Sequence, residues 1–411
     1  MTHPTEAPQA APLSRHKLPG RREFIALMGL LTALVAFSID SMMPALPAIA
    51  ADLASANPNA AQLVITSFVL GMGIGTFFTG PLSDRFGRRS IILCGVVLYI
   101  VAALAATLSQ NMTWLLVTRL VQGLGASGPR VVVMAVIRDL YSGRGMAQIV
   151  SFVMMVFAII PALAPLMGAQ ILRVADWHAI FLAFALFGIA STAWFLLRVP
   201  ETLPLDRRRP FRFATLKAAV LEVLRHQQVR LAILTLSLVF AGLFATISSI
   251  QSIYDVWMDR ADSFPAWFGL TAIVTASSSY LNARLVMRLG MRRLVKAMFT
   301  GYIAVTIGAL VALNMSPGPI AQLVILLIWQ QAQFFQASLG IGNLNALALE
   351  PMGHIAGTAA SVISAGATTF AVLLAVPVGL AFNGTPFPLM LGCICFSGLG
   401  LALMMRLRED S

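Results

Sequence analysis

Charge is scarce in this sequence. Of its 411 residues, 11% are Asp, Glu, Lys or Arg and 58% are hydrophobic, whereas a soluble chain carries about a quarter charged residues. An ordinary soluble domain is excluded on that ground. Cysteine is scarcer still. Cys94, Cys393 and Cys395 all fall within apolar runs, and Cys393-x-Cys395 on a helix points its thiols apart, so neither a disulfide framework nor a zinc site is expected. The five histidines stay out of the interior of the apolar runs, and no two acids stand together inside one. A membrane-embedded transferase needs such groups near one face to hold a metal or act as a base, so no enzyme activity, metal or cofactor is expected.

What is abundant is apolar length. The hydrophobic residues come in successive runs of about twenty, enough to span hydrocarbon as helices. Twelve spans are predicted, near 24–47, 61–82, 90–109, 113–138, 145–171, 178–198, 229–257, 267–287, 294–314, 319–349, 356–382 and 386–406. No cleavage pattern follows the first run, which reads as a retained span and not a signal peptide. A net charge of +12 could suggest nucleic acid, but the basic residues sit in short turns on alternate sides of the spans. Arg15, Lys17, Arg85, Arg88, Arg89, Arg138, the 207–209 arginines, Arg288, Arg292, Arg293 and Arg408 share one side. Only Arg173 and Arg260 fall in turns on the other, while Arg119 and Arg130 stay inside a span. The positive-inside rule then makes both termini cytoplasmic and leaves lipid, not nucleic acid, as the partner of the charge.

The polar segment 199–228 divides the chain. The expected organisation is an N-terminal tail (1–23), a six-helix bundle (24–198), a cytoplasmic linker (199–228), a second six-helix bundle (229–406) and a short C-terminal tail (407–411). Arg85-Phe86-Gly87-Arg88-Arg89 before the third span is echoed by Arg288-Leu289-Gly290-Met291-Arg292 before the ninth, 203 residues later. The fold class is therefore an all-α membrane protein of two pseudo-symmetric six-helix bundles, with a site expected at their interface near the midplane. Two such bundles enclose a cavity without a second chain, and a monomer is expected.

Asp40, in the first span, is the sole acid placed within hydrocarbon, and Arg119 enters the fourth span to a similar depth from the same face. Opposite charges at one depth should pair or exchange a proton. A carboxyl held between burial, which disfavours its charged form, and a cation, which favours it, can load and release protons. The structural alternatives are a permanent Asp–Arg helix staple or a cap at an unwound end of the first span. Arg119 opens Arg119-Leu120-Val121-Gln122-Gly123-Leu124-Gly125-Ala126, whose small residues permit close helix approach. Arg130 lies eleven residues on, on the same helix face, and either helps bind an anionic or polar part of a substrate, or pairs with backbone carbonyls or snorkels toward the cytoplasmic face.

The turn formed by residues 80–89 reads as a gate. Gly80 and Gly87 allow close packing, Asp84 can accept bonds from a facing helix N-terminus, and Arg88 can pair with Asp139. Arg85 and Arg89 complete its charge. Pro161, Pro165 and Gly168 are expected to bend the fifth span. Gln336 and Asn343 belong to a polar load in the tenth span. With Phe37, Asp40, Met42, Gln122 and Arg130 they form the expected substrate-binding set.

These stretches carry a resemblance. The chain is similar to the twelve-span drug:proton antiporters of the major facilitator superfamily, and most of all to the bicyclomycin-resistance (Bcr/CflA) family. The matching segments are 38–47, Gln62, 80–89, 119–125, Arg138-Asp139-Leu140-Tyr141, 161–168, Glu201-Thr202-Leu203 and Ala356-Gly357-Thr358-Ala359. The chain departs from the family's pattern at Phe68, Thr76, Ala169, Gln251 and Arg130. The resemblance implies proton-driven export of small amphipathic antibiotics across a bacterial inner membrane, with Asp40 and Arg119 in the coupling site. A transporter of one metabolite, exporter or uptake symporter, would share the fold, and a non-transporting sensor would share the topology.

Overall fold

A peptide group in hydrocarbon finds no water, so a chain this apolar must close its backbone hydrogen bonds internally. The computed structural model describes residues 19–407, and among them it holds helices and no strand. Arg15, Lys17 and Arg408 lie outside the described residues.

The first span is interrupted. Helix α1 (Arg21–Asp40) ends at Ser41, a 3-10 turn covers Met43–Ala45, and α2 (Leu46–Leu53) completes the crossing. Five further long helices follow: α3 (Leu63–Phe86), α4 (Arg88–Ala106), α5 (Met112–Leu140), α6 (Gly143–Val174) and α7 (His178–Arg198). A short helix, α8 (Phe213–Arg225), lies in the polar connection and turns Leu216, Ala219 and Val223 inward at helical spacing. The last six long helices are α9 (Gln227–Ser252), α10 (Phe264–Leu289), α11 (Met291–Asn314), α12 (Pro319–Leu349), α13 (Ala356–Leu380) and α14 (Phe387–Arg406).

Ten segments among the described residues are long and apolar enough to cross a bilayer, and one of them, Pro319–Leu380, contains both α12 and α13. Helix α10 is the twelfth long helix, made more polar by Ser277-Ser278-Ser279, Asn282 and Arg284. The prolines at 161 and 165 lie within an unbroken α6. Gly168 has another use there: a methyl group would overlap the Ser41 carbonyl at the break after α1.

The first six long helices pack mainly on one another, as do the last six, and α3 against α13 and α6 against α10 join the two sets. Helices α3 and α5 approach closely. Gly71 lies under the Leu120 carbonyl and Gly123 under that of Phe68, so a side chain at either would force the backbones apart. The internal repeat appears as a repeated turn. Gly87 between α3 and α4 has φ +94°, and Gly290 between α10 and α11 has φ +75°, a region that side chains with a Cβ rarely enter.

Candidate functional site

The break in α1 builds the first half of the site. A helix that ends leaves its last four carbonyls without intrahelical partners, and at Ser38 the donor comes from another helix. The Arg119 guanidinium donates to the Ser38 carbonyl at 3.0 Å, to the Val64 carbonyl of α3 at 3.0 Å and to Gln122 Oε1 at 2.8 Å. It also stands 4.5 Å from the centre of the Phe68 ring, a favourable cation–π geometry. Arg119 is fully buried and so ties α1, α3 and α5 together. Tyr99 of α4 joins the cluster through a 2.6 Å hydrogen bond with Ser38 Oγ.

Asp40 lies two residues beyond Ser38, at the last turn of α1, and is 4% exposed. The two opposite charges share this region without forming an ion pair: Arg119 spends its donors on carbonyls and Gln122, and Asp40 makes no hydrogen bond or salt bridge among the described residues. The geometry leaves one carboxyl, buried at a helix break, free of any fixed partner.

The second half lies at the end of the bundle that carries the 80–89 turn, here called the basic end. Arg88 Nη1 donates to Asp84 Oδ1 at 2.6 Å and to Ser83 Oγ at 2.7 Å, while its Nε reaches Asp139 Oδ2 at 2.9 Å. Asp84 meets no helix N-terminus through its side chain, because the i,i+4 arginine occupies it. The N-terminus of α4 is capped instead by Glu201 from the connection after α7. Glu201 accepts from the amides of Arg88 at 2.9 Å and Arg89 at 3.1 Å, and Thr202 donates to Asp139 at 3.1 Å. Arg209 N donates to the Asp84 carbonyl at 3.0 Å, Arg89 to the Leu196 carbonyl at 2.8 Å, and the Arg85 guanidinium lies 4.9 Å from the Phe86 ring centre. The connection thus grips the turn through Glu201, Thr202 and Arg209.

That grip is measurable. Glu201→Ala removes the acceptor of two orphan amides, a capping loss of about 1 kcal/mol. The thermal midpoint of the purified protein in detergent should fall by a few degrees, and by less in Glu201→Gln, which keeps an oxygen. A midpoint unmoved by Glu201→Ala contradicts the capping role.

Between the two sets of helices, at the basic end, lies a cavity of about 360 Å³ bounded by α3, α5 and α13. Arg130, Thr76, Met134, Ser361 and Ser364 line it, and Gly80 approaches the Ser361 hydroxyl where α3 crosses α13. At the opposite end hydrogen bonds cross the interface beside a cavity of about 510 Å³ lined by Leu46, Gln62, Ser252 and Phe382. Asn59 Nδ2 donates to the carbonyls of Leu380 at 3.0 Å and Phe382 at 2.7 Å, and Ser249 donates to Gln62 at 2.7 Å.

Of the substrate residues expected from sequence, Arg130 alone lines this cavity. Phe37 packs its ring on Phe184 and Phe187 of α7, at 5.4 and 5.1 Å. Met42 is fully buried beside the α1 break, and Gln122 is occupied by Arg119. Gln336 donates to Ser397 of α14 at 2.8 Å, and Asn343 to Asn282 of α10 at 2.7 Å, both contacts within the last six helices. Sequence reasoning did not single out Tyr99, Asn59 or the capping role of Glu201. For Glu201 a signal was present: a lone acid just after a span, in a segment dominated by arginine.

Known proteins resemble the chain at both the sequence and fold levels. The family model described as Major Facilitator Superfamily matches residues 28–375. An uncharacterized MFS-type transporter of Bacillus subtilis, YdgK, is 32% identical over 343 residues, 82% of this chain and 83% of that protein. The bicyclomycin resistance protein homolog of Haemophilus influenzae is 32% identical over 356 residues, 85% of this chain and 86% of that protein. Among solved structures, a crystal structure of a D-xylose-proton symporter superposes with a TM-score of 0.78 at 15% identity, covering 95% of this chain and 98% of that one. At that identity the likeness speaks for the fold alone.

Proposed function

We propose, since the chain belongs to the major facilitator superfamily and to its drug-efflux branch, that it exports small amphipathic drugs across a bacterial inner membrane in exchange for protons. Membership makes it a multi-pass membrane transporter of small molecules. The observation that carries the finer reading is Asp40: a buried carboxyl, without a partner among the described residues, at the break that ends α1. A structural staple needs a partner for its charge. A proton carrier needs the freedom to gain and lose one.

In this reading the basic end faces the cytoplasm, with both termini on that side. Substrate enters the cavity between α3, α5 and α13 from the cytoplasm or inner leaflet. Asp40 releases its proton inward as substrate binds and takes another once the bundles have rocked outward. Arg119 holds the Ser38 carbonyl and so fixes where the Asp40 carboxyl sits. The outward change must break the Asn59 and Gln62 contacts and close the basic end. There Asp84, Arg88 and Asp139, with Gly80, Arg85, Gly87 and Arg89 shaping the turn, act as the gate. The chain works as a monomer in lipid, without a cofactor.

The test is proton movement. Proteoliposomes holding a trapped pH dye and an imposed pH gradient are given a panel of anionic, neutral and cationic amphipathic antibiotics. At least one should drive proton flux opposite to its own movement, abolished by an uncoupler. A panel in which no compound moves protons sinks the antiport reading and leaves the family assignment standing.

A further inference from the structure

The cavity at the basic end contains an unanswered charge. Arg130 lies in mid-α5, about 16 Å along the helix from Arg119 at 1.5 Å per residue. Its Nη1 is shut from solvent and has no hydrogen-bond partner among the described residues. Among the described residues the one acid lining the cavity, Asp84, forms its ion pair with Arg88 and not with Arg130. Arg88 also holds Asp139. Arg138 at the mouth adds a second positive charge. The remaining lining combines hydroxyls (Thr76, Ser361, Ser364) with apolar surface from Met134 and Met146.

A guanidinium nitrogen shut from water without an acceptor is costly, and arginines inside membranes mark substrate paths. Its planar fork of N–H donors matches a carboxylate or a phosphate-type oxyanion in two-point contact. The cavity volume of about 360 Å³ falls at the lower end of the range for small-ligand sites. We infer that the substrate taken by this cavity carries an anionic oxyanion group, bound by Arg130 among the serine and threonine hydroxyls, with an apolar body against the methionines. The inference deepens the exporter reading and rests on it for the direction of transport, though not for binding.

Three probes with one apolar body separate the charge from the rest: pyrenebutyrate, pyrenebutanol and pyrenebutylamine. Equilibrium binding to the full chain is measured in phosphatidylcholine nanodiscs. Pyrenebutyrate should bind about tenfold tighter than pyrenebutanol, the difference one charge-assisted contact makes, and pyrenebutylamine weakest. Arg130→Gln should bring the butyrate-to-butanol ratio to about one, and Arg130→Lys should restore part of it. Thermal midpoints of both variants establish that they are folded. Equal binding of all three probes by the intact chain, or an unchanged ratio in a folded Arg130→Gln protein, overturns the inference. So does displacement of pyrenebutyrate by phosphatidylglycerol added to the disc, which would make the occupant a lipid headgroup. A chain that binds pyrenebutyrate through Arg130 and moves no protons keeps this inference and refutes the antiport reading.

Discussion

Asp40→Asn should abolish concentrative transport while leaving a folded protein that still exchanges substrate downhill. Asparagine matches aspartate in size and can hydrogen-bond, but it has no proton to release. A gradient of two pH units is worth about 2.7 kcal/mol per proton, enough for about hundredfold accumulation of a neutral substrate by one-for-one exchange. In Asp40→Asn vesicles that ratio should fall to about one. Stability should not follow. Removing one member of a buried ion pair costs about 3–5 kcal/mol because it strands the other charge, and Asp40 has no such partner. The thermal midpoint should therefore hold or rise. Uphill transport of the probe by Asp40→Asn, driven by a pH gradient, would remove this carboxyl from the coupling mechanism.

How much of this could be read from the residues depended on how many partners each one had to choose from. The 80–89 turn was legible because hydrocarbon forces a cluster of charges to a membrane face. The glycines at 87 and 290 then fixed the same turn twice, each with positive φ. Asp40 was legible because it stood alone. Its relation to Arg119 was not, since a sequence shows two charges at one depth but not the carbonyl that a helix break at Ser41 leaves open to a donor. The polar load of α12 shows the same limit. Gln330 donates to Thr271 and Asn343 to Asn282 on α10, and Gln336 donates to Ser397 on α14. Helix–helix hydrogen bonds are a common use for amides in a membrane, and composition alone does not separate that use from lining a cavity. Arg130 differs because its Nη1 finds no acceptor among the described residues.

Arg119→Ala should be the most damaging single change to stability. Three acceptors on three helices lose their donor at once: the carbonyls of Ser38 and Val64, and Gln122. Val64 keeps the helix bond from the Phe68 amide, but the Ser38 carbonyl at the end of α1 is left buried and unpaired at about 1–3 kcal/mol, and a void opens where a large, fully buried side chain had packed on Phe68. A combined loss of about 3–5 kcal/mol is expected once relaxation is allowed for, read as a large drop in thermal midpoint and in yield of folded protein. Arg119→Lys separates structure from coupling. The ammonium keeps the positive charge but presents a single point in place of a planar fork, so it can satisfy one or two of the acceptors and leaves the end of α1 loosely held. That protein should fold with a smaller drop in midpoint, yet accumulate substrate several-fold less under the same pH gradient, because the Ser38 carbonyl no longer fixes the turn that carries Asp40. Full coupling in Arg119→Lys would reduce Arg119 to a source of charge. A stable, coupled Arg119→Ala protein would show that the break in α1 needs no donor, and that Asp40 is positioned by something other than this clamp.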